Sequence, residues 1–64
     1  MEIILSPQAE SDLDRMDRAA ADRVLAALTR YAATEQGNVK RLQGVRPHQW
    51  RLRVGDWRVR FVIA

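Results

Sequence analysis

The stretch WRLRVGDWRVRFVI, residues 50–63, decides the fold of this chain. Apolar and basic residues alternate with a period of two on both sides of Gly55-Asp56, which is typical of two strands joined by a two-residue turn. A loop of only two residues fixes the pairing as Trp50 opposite Phe61, Leu52 opposite Val59 and Val54 opposite Trp57. One face of the predicted hairpin is therefore wholly apolar, and we expect both tryptophans to belong to the core.

The other face of the predicted hairpin carries arginines, with Arg51 opposite Arg60 and Arg53 opposite Arg58. Like charges directly opposite one another destabilise a hairpin by about 0.2–1 kcal/mol per pair, so a purely structural hairpin usually alternates its signs. A guanidinium group is always charged and offers a planar fork of donors that matches phosphate oxygens. The cluster favours an RNA or DNA backbone as its ligand. Three alternatives stay open: solvent-facing residues that guard a sheet edge, a surface for a partner's acidic side chains, and a groove-reading β-ribbon.

The charge of the chain is divided between its two halves. Residues 1–38 hold four basic and seven acidic residues, a net charge of −3, whereas residues 39–64 hold seven basic and one acidic residue, a net charge of +6. A half this basic indicates a polyanionic partner, nucleic acid before any other. We predict that RNA contacts come from the basic residues flanking the central arginines, namely Lys40, Arg41, Arg46 and Arg60.

The first half predicts one strand and two helices. Ile3–Leu5 is a β-prone run that ends at Ser6-Pro7, where serine can cap a helix and proline suits its first turn. Apolar residues then recur at helical spacing in two stripes separated by a weak break at Asp17-Arg18. We expect Gly37-Asn38 to end the second helix.

Residues 39–49 show no sustained period and are predicted to form an irregular connection, with Leu42 and Val45 partly packed on the core. The fold class is therefore α+β: an N-terminal strand, a two-helix hairpin and an antiparallel β-hairpin, forming one small sheet packed on the helices. The 64 residues make a single domain, 1–64.

Composition and motifs exclude several classes of protein. There is no cysteine for disulfides or thiolate metal sites, and no metal-ligand spacing, phosphate loop or nucleophile triad, so we expect no metal or other cofactor. The N-terminus lacks the basic region of a signal peptide, and no apolar run approaches the roughly 20 residues of a membrane span. We expect a cytoplasmic protein without a membrane partner. His48 is predicted to be a solvated imidazole, and Asp12, Asp14 and Asp17 a solvated helix face.

Three stretches in this order resemble the RelE/ParE superfamily of toxins from type II toxin-antitoxin pairs. They are SPQA at 6–9 followed by Asp12-Leu13, KRLQG at 40–44, and WRLRVGDWRV at 50–59. The resemblance covers nearly the whole chain and implies a cognate antitoxin wrapped over the toxin. Family members usually continue into another strand and a C-terminal helix. We therefore expect uncovered apolar sheet surface here, open to the antitoxin or to homo-oligomerisation.

In the RelE-like branch, the resemblance implies a toxin that enters the ribosomal A site and cleaves mRNA, the 2′-hydroxyl attacking its own 3′-phosphate without a metal. By position, Arg51, Arg53 and Arg58 match basic residues of that branch and would be catalytic, stabilising charge and positioning the substrate. An arginine at position 51 is a poor proton acceptor, which leaves the general base unassigned. The arginine pattern favours this endoribonuclease function. We expect the catalytic activity to be weakened by the short C-terminus.

Two other functions are compatible with the same resemblance. ParE-like relatives share the fold but poison DNA gyrase and are not nucleases. A catalytically inert remnant would bind the antitoxin without toxicity. Fold alone does not decide among them.

Overall fold

The computed structural model describes residues 1–44, 46 and 48–64. Along the chain the elements are β1 (Ile3–Leu5), α1 (Pro7–Arg15), α2 (Arg18–Thr34), β2 (Val39–Arg41), β3 (Trp50–Val54) and β4 (Trp57–Ile63). The strands form one antiparallel sheet in the order β1-β4-β3-β2. α1 contacts β4 and α2 contacts β3, so the helices cover one side of the sheet. The predicted α+β class is confirmed.

The β3–β4 hairpin has the register that its alternating sequence predicts. Trp50 pairs with Phe61, Leu52 with Val59 and Val54 with Trp57. The turn is Gly55-Asp56, and Gly55 has a φ of +58°. Glycine adopts a positive φ at no steric cost, which is why it suits the first central position of a tight hairpin turn.

Both helices begin as the sequence predicts. The Ser6 Oγ accepts a hydrogen bond from the Ala9 N–H at 3.1 Å, and a carboxylate oxygen of Asp17 accepts one from the Ala20 N–H at 3.4 Å. The break at Asp17 is thus the N-cap of α2. The predicted end of α2 at Gly37-Asn38 is wrong, because the helix stops at Thr34 with Glu35 in the left-handed conformation, at a φ of 59°.

The predicted irregular connection is wrong at its start, where Val39–Arg41 forms the edge strand β2. Val39 pairs with Leu52, Lys40 with Arg51 and Arg41 with Trp50. Three residues are too few to show the alternation of apolar and polar side chains that identifies a strand. They form a strand because they pair with β3. Leu42 is half-buried, as expected, whereas the prediction for Val45 lies outside the described residues.

The core lies between the helices and the inner side of the sheet. Leu52, Val59 and Phe61 are each 1% exposed and pack with Ala9, Val24 and Leu28 of the helices. Trp50 is half-buried and stacks on Phe61, with ring centroids 6.3 Å apart. Trp57 faces the same side but is 38% exposed, so the prediction that it belongs to the core is wrong. It lies next to the turn, at the end of the sheet beyond the buried cluster.

Candidate nucleic-acid interface

The candidate site is the side of the sheet that the helices leave uncovered, here called the outer face. Successive side chains of a strand point to opposite faces, so the residues between the buried Leu52, Val59 and Phe61 point away from the helices. By this alternation the outer face consists of Ile4, Lys40, Arg51, Arg53, Arg58, Arg60 and Val62. Five of these seven residues are cationic.

The cations of the outer face form two rows across the strands. In the first row, Lys40 of β2 pairs with Arg51 of β3, which pairs with Arg60 of β4. In the second row, Arg53 pairs with Arg58. Directly opposed residues have Cβ atoms about 4.5–5.5 Å apart, so each guanidinium has another positive charge as its cross-strand neighbour. The predicted sharing of one face by the four hairpin arginines is confirmed.

Carboxylates do not neutralise this face in the part of the chain that the structure describes. The salt bridges found there lie on the helices and join Arg15 to Asp12 at 2.7 Å and Arg18 to Asp22 at 4.0 Å. Among the outer-face cations, Arg51 is half-buried and the other four are exposed. The Arg53 Nε donates a hydrogen bond to the Gly55 carbonyl oxygen at 3.2 Å, which directs this side chain toward the turn.

A concavity of about 270 Å³ lies on the β2–β3 side of the outer face. It is lined by Asn38, Val39, Lys40, Arg51 and Arg53. Three of these residues are cationic, and the Asn38 amide adds hydrogen-bonding groups. An anionic group seated here would contact charge from two neighbouring strands. The combination suits a phosphate oxygen better than a neutral ligand.

The two remaining cations predicted to bind RNA lie elsewhere. Arg41 and Arg46 line a second concavity, of about 520 Å³, together with Leu42, Gln43, Gly44 and His48. Arg41 has the opposite alternation from Lys40 and is therefore not part of the outer face. The structure thus brings Lys40, Arg51, Arg53, Arg58 and Arg60 together and separates Arg41 and Arg46 from them.

The outer face supplies positive charge but no conventional proton acceptor. Its seven residues include no carboxylate and no imidazole. His48 is exposed next to Trp50, with ring centroids 6.5 Å apart, and belongs to the second concavity. The hydrogen bonds that Asp12 accepts from Arg15 and Gln8 lower the pKa of its carboxyl group, but Asp12 lies on α1. As arranged, the face can bind and stabilise negative charge, while proton transfer needs a group from elsewhere.

Residues 1–44, 46 and 48–64 contain neither a cluster of metal-ligating side chains nor a membrane-spanning helix. No group of three or more histidine, cysteine, aspartate or glutamate side chains is placed to hold a metal ion. No helix in these ranges is long and apolar enough to cross a membrane.

Sequence reasoning missed two features of the outer face. Asn38, just before β2, lines the concavity beside Lys40, and β2 places the predicted Lys40 in one row with Arg51, which its three residues do not reveal. Ile4, 48% exposed, and its partner Val62 form an apolar end beside the cationic rows. The alternation within Ile3–Leu5 was the available signal for this end, because Ile4 must point away when its neighbours point inward.

A four-stranded antiparallel sheet with two helices on one side and a cationic opposite side defines a small α+β protein. The family model described as the ParE toxin of type II toxin-antitoxin systems, parDE, matches residues 3–64, and the chain belongs to this family. The RelE/ParE resemblance is thereby confirmed, and membership implies a cognate antitoxin as partner. Comparisons with curated proteins and with solved structures gave no match.

Proposed function

We propose that this toxin acts by binding rather than by cleaving, and that its target is DNA gyrase, with the cationic outer face contacting the DNA on which gyrase acts. The family match over residues 3–64 supports this choice, because the ParE-like branch that the sequence resembles poisons gyrase. The observation that carries the proposal is the composition of the outer face: five cations, two aliphatic residues and no carboxylate or imidazole. Such a surface binds a phosphodiester backbone without the acid and base that cleavage requires.

The second candidate is ribosome-dependent mRNA cleavage. The placement of Arg51, Arg53 and Arg58 at adjacent register positions favours it, because clustered guanidinium groups stabilise the charge that develops on a phosphorane. The concavity beside Lys40 would seat the reacting phosphate. In this candidate the proton acceptor and donor come from outside the outer face.

Expression of the chain in bacteria without antitoxin tests both candidates in one experiment. Growth, plasmid supercoiling and the 5′ ends of mRNA are followed after induction. The key variant is the triple substitution Arg51→Ala, Arg53→Ala and Arg58→Ala. Its matched control is Arg15→Ala, Arg18→Ala and Arg23→Ala, which removes the same charge from the helices.

Gyrase inhibition predicts growth arrest with loss of supercoiling and intact mRNA, abolished by the outer-face triple variant and retained by the helix control. Cuts within translated codons would instead establish the nuclease candidate. Normal growth with folded protein would reject both and leave an antitoxin-binding domain.

Binding of the purified chain to duplex DNA gives a physical measure of the same face. Each phosphate neutralised by a cation contributes about 0.9 to the negative slope of log affinity against log salt concentration. We expect the outer-face triple variant to reduce this slope by about 2–3 and the helix control to leave it unchanged. Equal slopes for the two variants would show that the outer face is not the DNA contact.

A further inference from the structure

The two edges of the sheet differ in the side chains that they carry. The β2 edge holds the charged residues Lys40 and Arg41, whereas β1 consists of Ile3, Ile4 and Leu5 and has no strand neighbour besides β4 among the described residues. Charged side chains on an edge strand oppose pairing with another chain, and an uncharged edge strand is open to it. The β1 edge is therefore the place where a further strand can add to this sheet.

The backbone groups that β1 presents at its edge follow from its hydrogen bonds to β4. The Ser6 N–H donates to the Arg60 carbonyl oxygen at 3.1 Å. In an antiparallel ladder, alternate residues direct both of their backbone groups to the same side. Ile4, two residues before Ser6, therefore also faces β4. The N–H and C=O groups of Ile3 and Leu5 face the sheet edge.

A second copy of β1 is the complement of these groups. When two β1 strands pair antiparallel about a two-fold axis at Ile4, Ile3 of each copy lies opposite Leu5 of the other. These opposed residues exchange both of their N–H···O bonds, so four hydrogen bonds join the two strands. The contact uses the same groups from both copies, as a two-fold interface requires.

Other two-fold registers of β1 satisfy fewer of these groups. An axis at Leu5 places Ile3 opposite Pro7, which has no N–H to donate. An axis at Ile3 places Leu5 opposite Met1, whose amino group donates to the Ala32 carbonyl oxygen at 3.3 Å. The register centred on Ile4 is therefore the one that pairs every edge-facing group.

Exposed apolar side chains cluster at the same edge. Four large apolar side chains are exposed in the described part of the chain, and three of them adjoin or belong to β1: Met1 at 47%, Ile4 at 48% and Leu25 at 48%. Met1 and Leu25 line a concavity of about 400 Å³ on the helix side of β1. Exposed apolar side chains that lie together mark a contact surface, because binding removes them from water. In the register centred on Ile4, this residue meets its own copy across the axis.

Charges beside β1 favour a second copy as well. Glu2 is exposed and, by the alternation of side chains, lies on the same side of the sheet as Ile4. In the register centred on Ile4, Glu2 lies opposite Ser6 of the second copy, and that Ser6 is bonded to Arg60. Glu2 and this Arg60 are two strand spacings, about 10 Å, apart, which their long side chains span over the small serine. Symmetry provides this opposite-charge pair twice.

We propose that the chain forms a two-fold symmetric dimer in which two β1 strands pair antiparallel about Ile4 and join both sheets into one of eight strands. A two-fold axis through an antiparallel strand pair is perpendicular to the sheet, so both outer faces lie on the same side. Lys40, Arg51, Arg53 and Arg58 of the two copies then share one continuous surface. The dimer rests on the β1 edge and does not depend on the target of the toxin.

Sedimentation equilibrium of the purified chain tests the dimer. We expect twice the 7.4 kDa mass of one chain at high concentration, with dissociation on dilution. Ile4→Lys should weaken self-association at least about tenfold, because it removes apolar burial and opposes like charges at the axis. Trp57→Lys is the matched control, since it replaces an exposed apolar side chain at the turn end of the hairpin, and it should change self-association less than about twofold.

Three results of this measurement would overturn the dimer. The first is a chain that stays monomeric up to about 1 mM. The second is equal weakening by Ile4→Lys and Trp57→Lys. The third is a species heavier than a dimer, because a two-fold contact between β1 edges closes after two copies.

A charge exchange tests the register. Glu2→Arg should weaken self-association, because the new arginine faces Arg60 of the second copy. Glu2→Arg combined with Arg60→Glu should restore it, since opposite charges then face one another again. A double variant that associates no better than Glu2→Arg would reject the pairing about Ile4.

Amide hydrogen exchange of the unsubstituted chain locates the contact without any variant. The N–H groups of Ile3 and Leu5 should gain protection as the protein concentration rises, whereas that of Ile4 is bonded to β4 in monomer and dimer alike and should change much less. A dimer in which Ile3 and Leu5 stay unprotected would reject the proposal. None of these readouts involves gyrase, DNA or mRNA, so failure here is distinguishable from failure of the proposed function.

Discussion

The same strands form both faces of this sheet, but the inner face is apolar and buried whereas the outer face pairs like charges. On the inner face, Leu52, Val59 and Phe61 are each 1% exposed and belong to one apolar cluster. On the outer face, the residues between them oppose arginine to arginine. Burial of the first set stabilises the fold, whereas repulsion in the second set opposes it. A charge arrangement that reduces stability is expected where binding, rather than folding, determines the residue types.

The largest effect on stability should follow from disrupting the packing of the inner face. Phe61 contacts Tyr31 edge to face at 5.9 Å and stacks with Trp50, so Phe61→Ala leaves a cavity between helices and sheet. Such truncations cost about 3–5 kcal/mol. At about 0.05–0.15 kcal/mol per residue, a chain of this length has only roughly 3–10 kcal/mol of total stability. We expect thermal and urea denaturation to show the loss of a large part of this stability; a change below about 1 kcal/mol would contradict the described packing.

A change on the outer face should act in the opposite direction. Arg60→Glu replaces a like-charge pair with Arg51 by an opposite-charge pair, and we expect the free energy of unfolding to rise by about 0.2–1 kcal/mol. DNA affinity should fall in the same variant, because a cation is lost and an anion is introduced. Urea denaturation and a DNA titration measure the two effects.

Arg23→Glu, on the exposed side of α2, is the control for Arg60→Glu. It should change both the free energy of unfolding and the DNA affinity less than Arg60→Glu does. Salt offers a check without mutation. Screening of the arginine rows should narrow the stability difference between Arg60→Glu and the unsubstituted chain. A difference that grows with salt would show that cross-strand repulsion is not its cause.

The smallest effect concerns the Asp12 carboxylate, which is paired with Arg15. Hydrogen bonds from Arg15 and Gln8 lower the pKa of Asp12, so this interaction is present above the ordinary pKa of a carboxyl group and is lost as pH falls through the lowered value. Arg15→Ala should raise the Asp12 pKa toward its ordinary value in a carboxyl NMR titration, while Arg18→Ala should not. An unchanged Asp12 pKa in Arg15→Ala would disprove the pairing. Because the site is exposed, stability should change little.

The hairpin was predictable because its determinants are local. A two-residue turn at Gly55 and strict alternation leave one register, and that register assigns the four arginines to one face. The helix starts were equally local, since Ser6 and Asp17 cap through their own side chains.

The features that were not predicted depend on tertiary contacts, which cannot be read from the spacing of residues in the sequence. Val39–Arg41 is a strand because β3 offers it an edge, and Trp57 is exposed because the buried cluster stops short of the turn. Glu35 ends α2 in a conformation that glycine prefers, so the visible Gly37 misled the prediction by a few residues. The separation of Arg41 from Lys40 follows from the pairing of β2 with β3.

The pairing of β1 with β4 sets an order of events during synthesis. Ile3 pairs with Ile63, and the Ala64 N–H donates to the Glu2 carbonyl oxygen at 2.9 Å, so the strand synthesised first is completed by β4. Until β4 has been synthesised, β1 has no strand neighbour and the helices have no finished sheet beneath them. Arg58 and Arg60 also belong to β4, so a nascent chain without this strand lacks both the closed sheet and the complete cationic face.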